Sequence, residues 1–165
     1  MSSDSTYTLY TGCMFSYKSS YLLRDVRRYR RMGRSVAVFK PKLDTRYADA
    51  SVVTHDGERI DAIQIATGDE LIEWLAQSEE THTVVAVDEA FMIAGIAQTL
   101  NWLFMQGIAI VVSSLDLSSS LQPFPEITHM FPIATHVEKC TAVCSVCKGV
   151  AAYTHRKIDD DSEIL

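Results

Sequence analysis

Apolar positions along the chain fall into two kinds of run, short unbroken ones and longer ones spaced three or four apart. Tyr7-Thr8-Leu9-Tyr10, Ser35-Val36-Ala37-Val38-Phe39-Lys40, Thr83 to Val87 and Ile108 to Ser113 are of the first kind. Their length and their β-branched and aromatic content predict buried strands. Lys18 to Met32, Gly68 to Gln77 and Ile93 to Gln106 are of the second kind and predict helices, with Gly33 and Gly107 placed as stops. Strands alternating with helices predict an α/β core, a mostly parallel sheet covered by helices.

Two stretches break the alternation. Pro41 to Arg59 is polar and poor in apolar runs, which predicts a loop or excursion. After Asp116, the run Ser118-Ser119-Ser120 with Pro123, Pro125 and Pro132 predicts an irregular connection. Beyond it, Thr135 to Tyr153 reads as two short strands around Cys144 and Cys147, and Asp159 to Glu163 as an acidic, disordered tail. The expected organisation is an α/β domain over 6–134, a small ribbon-like β segment over 135–157 and a tail over 158–165.

Composition narrows the class. A chain of 165 residues, 47% hydrophobic and 22% charged, is long enough for one buried core. No apolar run has the length to cross a bilayer, and Met1-Ser2-Ser3-Asp4-Ser5 lacks the features of a secretory signal, so a cytoplasmic, reducing setting is expected. In that setting the four cysteines read as thiols or metal ligands rather than disulfides. A net charge of −6 argues against a global nucleic-acid surface. Arg24, Arg27, Arg28, Arg30, Arg31 and Arg34 form a local basic cluster, read first as the solvated face of a helix whose stripe is Leu22, Leu23, Val26 and Tyr29.

The chemistry concentrates in two places. Gly12-Cys13-Met14-Phe15-Ser16-Tyr17-Lys18-Ser19 is a phosphate-binding loop in strand-to-helix context, with Tyr17 where the rule asks for a second Gly. In such a loop the backbone N–H groups surround phosphates, Lys18 neutralises the transferred group and Ser19 holds Mg²⁺. The second place is the end of the apolar strand Val84-Val85-Ala86-Val87, where Asp88 and Glu89 stand together. One carboxylate near a metal and one near an attacking hydroxyl is a phosphotransferase arrangement: Asp88 fits the metal, directly or through water, and Glu89 fits the proton acceptor.

These blocks, taken with others, resemble the small, zinc-ribbon type of thymidine kinase. The resemblance is carried by Gly12 to Ser19, Asp44-Thr45-Arg46-Tyr47, Thr54-His55-Asp56, Val87-Asp88-Glu89, Leu115-Asp116, Pro123-Phe124, Thr141-Ala142-Val143-Cys144, Cys147 and Ala151-Ala152-Tyr153-Thr154. They follow the family's order from about residue 6 to residue 156. The resemblance implies an α/β P-loop core with a zinc-ribbon-like appendage, and transfer of phosphate from ATP to the 5′-hydroxyl of deoxythymidine. It implies Glu89 as general base, Lys18 and the loop backbone on ATP, Ser19 and Asp88 on Mg²⁺, and Asp56 organising the same site. Met14 and Phe124 match positions lining the nucleoside pocket, and a homo-oligomer, a tetramer in the family, is implied.

Departures from the pattern set further expectations. At Tyr17 a Cβ and ring should strain the loop or fill phosphate space and weaken ATP binding, unless the ring turns outward. After Glu89 the family continues Gly-Gln-Phe or Ala-Gln-Phe, whereas Ala90-Phe91-Met92 loses the polar helper and puts Phe91 one position early for the aromatic role. Leu117 to Gln122 replaces the aromatic and basic residues that follow the family's Leu-Asp-Gly. The sequence stops at Leu165, before the family's nucleoside-covering lasso and second Cys-x-x-Cys, so Cys144 and Cys147 are expected to supply half of a zinc site. By spacing alone Cys140 and His155 could complete a Cys₃His set, and a metal-free knuckle is the other reading. Besides an active thymidine kinase, two alternatives stand. One is a catalytically impaired homologue serving as a regulatory or structural subunit or half of a split enzyme; the other is a phosphotransferase with a changed acceptor.

Overall fold

The computed structural model describes residues 5–42, 51–53 and 57–156. Its centre is a six-stranded sheet in which every pairing is parallel. In chain order the elements are β1 (Tyr7–Gly12), α1 (Lys18–Arg31), β2 (Val36–Pro41), β3 (Ser51–Val53), β4 (Arg59–Asp61), β5 (Ile63–Ile65), α2 (Gly68–Gln77) and β6 (Val84–Val87). A 3₁₀ turn at Ala90–Met92 leads to α3 (Ile96–Met105), β7 (Ala109–Leu115), α4 (Pro125–Met130), β8 (His136–Cys140), β9 (Ala142–Val143) and β10 (Val150–Ala151). Across the sheet the order is β5-β2-β6-β7-β1-β8.

The alternation of side chains along each strand splits the core into two layers. Tyr7, Leu9, Phe39, Val85, Val87, Ile110 and Val112 pack with α2, α3 and α4. Tyr10, Val38, Ala86 and Val111 pack with Leu22, Leu23, Val26 and Tyr29 of α1 on the opposite face. Burial on both faces is why these strands read as unbroken apolar runs. The stripe expected on α1 is the buried one, and its arginines lie outside it: Arg28, Arg30 and Arg31 are exposed, Arg27 pairs with Glu58 at 2.8 Å, and Arg24 lies over the Tyr21 ring at 5.0 Å.

Three parts of the sequence expectation change. Within the stretch read as a loop, Ser51–Val53 and Arg59–Asp61 form an antiparallel pair, and Ile63–Ile65 just after it joins the sheet beside β2. Val52 and Ile60 bury their side chains against the α1 layer, which anchors this pair of three-residue strands. The irregular connection after Asp116 contains α4, with Pro125 at its first position, where a missing N–H costs nothing. Residues 136–140, read as part of the ribbon, are instead the sheet's edge strand, paired in parallel with β1 from Thr8↔His136 to Gly12↔Cys140. The ribbon proper is β9 against β10, two residues each. Asp44 to Tyr47, Thr54 to Asp56 and the acidic tail lie outside the described residues. Among the described residues no helix is long and apolar enough to cross a membrane.

Candidate active site

In a parallel sheet the carboxyl ends of the strands open together on one edge, and that edge carries the polar residues. Strand β1 ends at Gly12, with φ 139°, a backbone shape side chains rarely allow; a Cβ there would stand 2.2 Å from the Cys140 carbonyl oxygen on β8. Glycine is therefore required by the neighbouring strand. The loop that follows turns back on itself. Ser16 donates its hydroxyl to the Cys13 carbonyl at 2.7 Å, and Lys18 Nζ donates to the same carbonyl at 2.6 Å and lies 3.3 Å from Ser16 Oγ. Cys13, Ser16 and Lys18 are all buried.

Helix α1 begins directly on this loop without a side-chain cap or an acidic residue in its first turn. Its positive end is thus left to whatever anion the loop receives. Tyr17, at the capping position, adopts the left-handed conformation (φ 62°, ψ 19°) and is 51% exposed, so its ring is turned out of the loop. Phe15, also left-handed at φ 61°, is exposed as well. Two non-glycine residues in that region cost about 1–3 kcal/mol each.

One turn into α1, Ser19 Oγ donates to Asp88 Oδ1 at 2.9 Å, and Ser113 Oγ, from β7, makes a short bond to the same oxygen. Asp88 is buried where β6 ends, its N–H held by the Phe39 carbonyl of β2 at 3.0 Å. Glu89 follows in a left-handed turn, φ 52°, half-buried. Burial holds the Lys18 ammonium below the ordinary lysine pKa, while Glu89 and then Asp88 pull it back up. Asp88 and Glu89 are thus both close enough to Lys18 for their charge to act on it. Hydroxyl and carboxylate oxygens side by side are the hard donors Mg²⁺ takes, and a buried amine beside them suits a polyphosphate; the residues fit both groups.

A second cluster holds the aromatic candidates. Phe91, in the 3₁₀ turn, and Phe124, at the start of α4, stand with ring centroids 4.5 Å apart at 39°. Phe91 N–H donates to Ser114 Oγ at 3.1 Å, and Phe124 N–H to the Asp116 carbonyl at 3.0 Å, so both hang from the end of β7. Met14 is half-buried, its N–H donating to Thr154 Oγ1 at 3.0 Å, and Cys13 Sγ donates to the Ala151 carbonyl at 3.3 Å. The return strand of the ribbon is therefore pinned to the loop after β1. Asp56 lies outside the described residues.

The cysteines separate into two pairs. Cys140 is buried in the α1 layer with its thiol pushed up to about 11, mainly by desolvation. Cys144 is half-buried and Cys147 exposed in the ribbon, where the Cys147 and Val146 N–H groups, then the Cys147 thiol, hold the Cys144 thiol below its ordinary pKa. Among the described residues no group of three or more His, Cys, Asp or Glu stands close enough to hold a metal. A Cys₃His set with Cys140 and His155 is not formed, because Cys140 belongs to the edge strand's buried face.

Sequence reasoning gave no role to Ser113, although Ser113-Ser114 closing an apolar strand was a readable signal. Asp116 was likewise without one; it accepts from Thr11 Oγ1 at 2.7 Å and from Lys139 Nζ at 2.6 Å, fastening β1 and β8 beside the loop.

Comparison with known proteins gives one answer throughout. The family model for thymidine kinase matches residues 5–165. Thymidine kinases from two strains of Chloroflexus aurantiacus are each 36% identical to the chain over 152 residues, covering 90% of this chain and 77% of theirs.

Proposed function

The chain belongs to the thymidine kinase family, and from that premise we propose that it moves the γ-phosphoryl group of ATP to the 5′-hydroxyl of deoxythymidine, with Glu89 as the proton acceptor. The observation that carries this reading is the convergence of Lys18, Ser19, Asp88 and Glu89 on one sheet edge, Ser19 and Asp88 at 2.9 Å and both carboxylates within electrostatic reach of the lysine. Lys18 would leave the Cys13 carbonyl for the phosphate oxygens, helped by the uncapped start of α1. Ser19 and Asp88 are the residues that would hold Mg²⁺. When bound, that ion supplies charge neutralisation across the phosphate oxygens.

Glu89 would take the 5′-hydroxyl proton as the new O–P bond forms and the bond to the ADP oxygen breaks; its left-handed turn at the strand end fixes where the carboxylate can reach. Phe91 and Phe124 would hold the base between ring and wall, with Met14 beside them. The outward Tyr17 ring supports ATP binding in spite of the missing glycine. Zinc at Cys144 and Cys147 would need ligands beyond the described residues. A cytoplasmic homo-oligomer remains part of the proposal.

Glu89→Gln is the test. It is expected to lower kcat by about two to four orders of magnitude with the Kd for ATP and thymidine unchanged. Turnover unaffected by the substitution would remove Glu89 from the mechanism. Mg²⁺-ATP at a hundred times its Kd should stabilise the fold by about 2.7 kcal/mol, and a melting temperature indifferent to both substrates would favour the non-catalytic subunit instead.

A further inference from the structure

Glu126, in the first turn of α4, spends its carboxylate on another helix. Its Oε1 accepts the Gly95 N–H and its Oε2 the Ala97 N–H, each at 2.8 Å. Helix α3 has no cap of its own: its capping residue is Gly95, left-handed at φ 71°, and no acidic residue lies in its first turn. A carboxylate from a neighbouring element therefore satisfies two of the N–H groups that every helix start leaves open, and meets the positive end of the helix.

The two elements so joined are the ones that carry the aromatic pair. Phe124 is the capping residue of α4, two positions before Glu126. Phe91 lies in the 3₁₀ turn whose chain runs through Ile93 into Gly95. Each ring's backbone is hung separately at the end of β7, Phe91 from Ser114 within it and Phe124 from Asp116 just past it. The Glu126 bonds tie one aromatic segment directly to the other. An extra gap of about 0.5–1 Å between a planar base and an aromatic wall forfeits roughly a quarter to a half of their dispersion attraction, so the spacing of that wall matters.

We propose that Glu126 is a positioning residue for the nucleoside: by bridging α4 to the start of α3 it fixes how Phe124 stands against Phe91, and so sets affinity for the base without acting on the phosphate corner. This rests on the reading of Phe91 and Phe124 as pocket residues. Glu126→Gln and Glu126→Ala are made in the full chain, with Phe124→Leu as the reference. Thymidine Kd is measured by calorimetry, with kcat, both KM values and melting temperature alongside. Glu126→Gln is expected to raise thymidine Kd and KM roughly fivefold and Glu126→Ala roughly tenfold, on the scale of one ordinary hydrogen bond, since only part of the lost bridge is felt at the base. The KM for ATP, and kcat at saturating thymidine, stay within about twofold, a split that a merely structural cap would not produce.

A fall in melting temperature with thymidine Kd unchanged would reduce Glu126 to a cap and overturn the proposal. If Phe124→Leu weakens thymidine binding and the Glu126 variants do not, the clamp is wrong and the pocket stands. If all three leave thymidine binding intact, the pocket reading fails and takes the clamp with it. Should Glu126→Ala fail to fold, the near-isosteric Gln variant decides.

Discussion

Where the loop after β1 meets the end of β6, Ser16, Lys18 and Asp88 are buried and each is bonded to the loop or to a neighbouring element, whereas in the ribbon Val146, Cys147 and Val150 stand in solvent. The two regions touch: Cys13 and Met14 bond to Ala151 and Thr154. What differs is the source of order. The corner at Lys18 and Asp88 is set by strands whose side chains are buried on both faces, and its polar groups are held by bonds to one another and to the loop backbone. The ribbon is two strands of two residues, too little surface to hold itself, and its order comes from its base on the loop and from local bonds such as Cys144 N–H to the Gly149 carbonyl at 2.8 Å.

The largest effect that would test this contrast is at Lys18. Lys18→Met is expected to cost about two to three orders of magnitude in kcat/KM, as loss of one preorganised charge at a transferring group does. It should not destabilise the fold. Burial lowers the Lys18 pKa below its unfolded value, so the folded chain holds the proton less tightly, and the cost of the buried charge is fully present below the folded pKa. Stability should therefore rise with pH between the folded and unfolded pKa values of that lysine, and the rise should vanish in the Met variant in a denaturant series across alkaline pH. A Met variant that retains the rise would assign it to another group.

Next comes Gly12→Ala, at the start of the loop and against the edge strand that leads into the ribbon. The new Cβ would lie 2.2 Å from the Cys140 carbonyl oxygen on a backbone at φ 139°. Overpacking and backbone strain together should cost about 3 kcal/mol in urea unfolding. If the ribbon depends on the loop, its thiols should change reactivity in the same variant.

Those thiols give a smaller but sharper reading in the unmodified chain. With a disulfide reagent at neutral pH, Cys144 and Cys147 should react fast, and Cys13 and Cys140 only on unfolding. Burial takes Cys140 up to about 11 while two N–H groups hold Cys144 down, so thiolate fraction and access point the same way. A fast-reacting Cys140 would mean that the edge strand opens.

The placement of Lys18, Ser19, Asp88 and Glu89 was legible in the sequence because its signals are local. Asp88 and Glu89 close an apolar run, and Lys18-Ser19 opens a helix, so strand and helix periodicity alone place them at element ends. The edge strand was not legible, since His136-Val137-Glu138-Lys139-Cys140 is mixed in polarity and earns its place by pairing with β1, some 128 residues earlier in the sequence at Tyr7 and Thr135. The hairpin Ser51–Val53 with Arg59–Asp61 was missed for a related reason: three-residue strands carry too few positions to show a period, and Val52 and Ile60 reveal themselves only by packing. Ser113's bond to Asp88 and Glu126's reach to α3 likewise join residues far apart in sequence.

Tyr17 is where residue identity and structure pull hardest against each other, and it carries the smallest expected effect. Identity says that a phenol ring stands where backbone should wrap phosphate. The structure keeps the left-handed backbone that a glycine would have supplied, φ 62° and ψ 19°, and sends the ring outward, half exposed and without a capping bond. Tyr17→Gly would then relieve about 1 kcal/mol of backbone strain and give back about 0.5–1 kcal/mol through the freer unfolded chain. Net stability should move by less than about 1 kcal/mol on those terms. Since the ring already lies outside the loop, ATP affinity should change by less than about threefold, under 1 kcal/mol. A tightening of tenfold or more would mean that the ring returns over the phosphate site, and the loop would then be a site held partly shut rather than one with its obstruction turned aside.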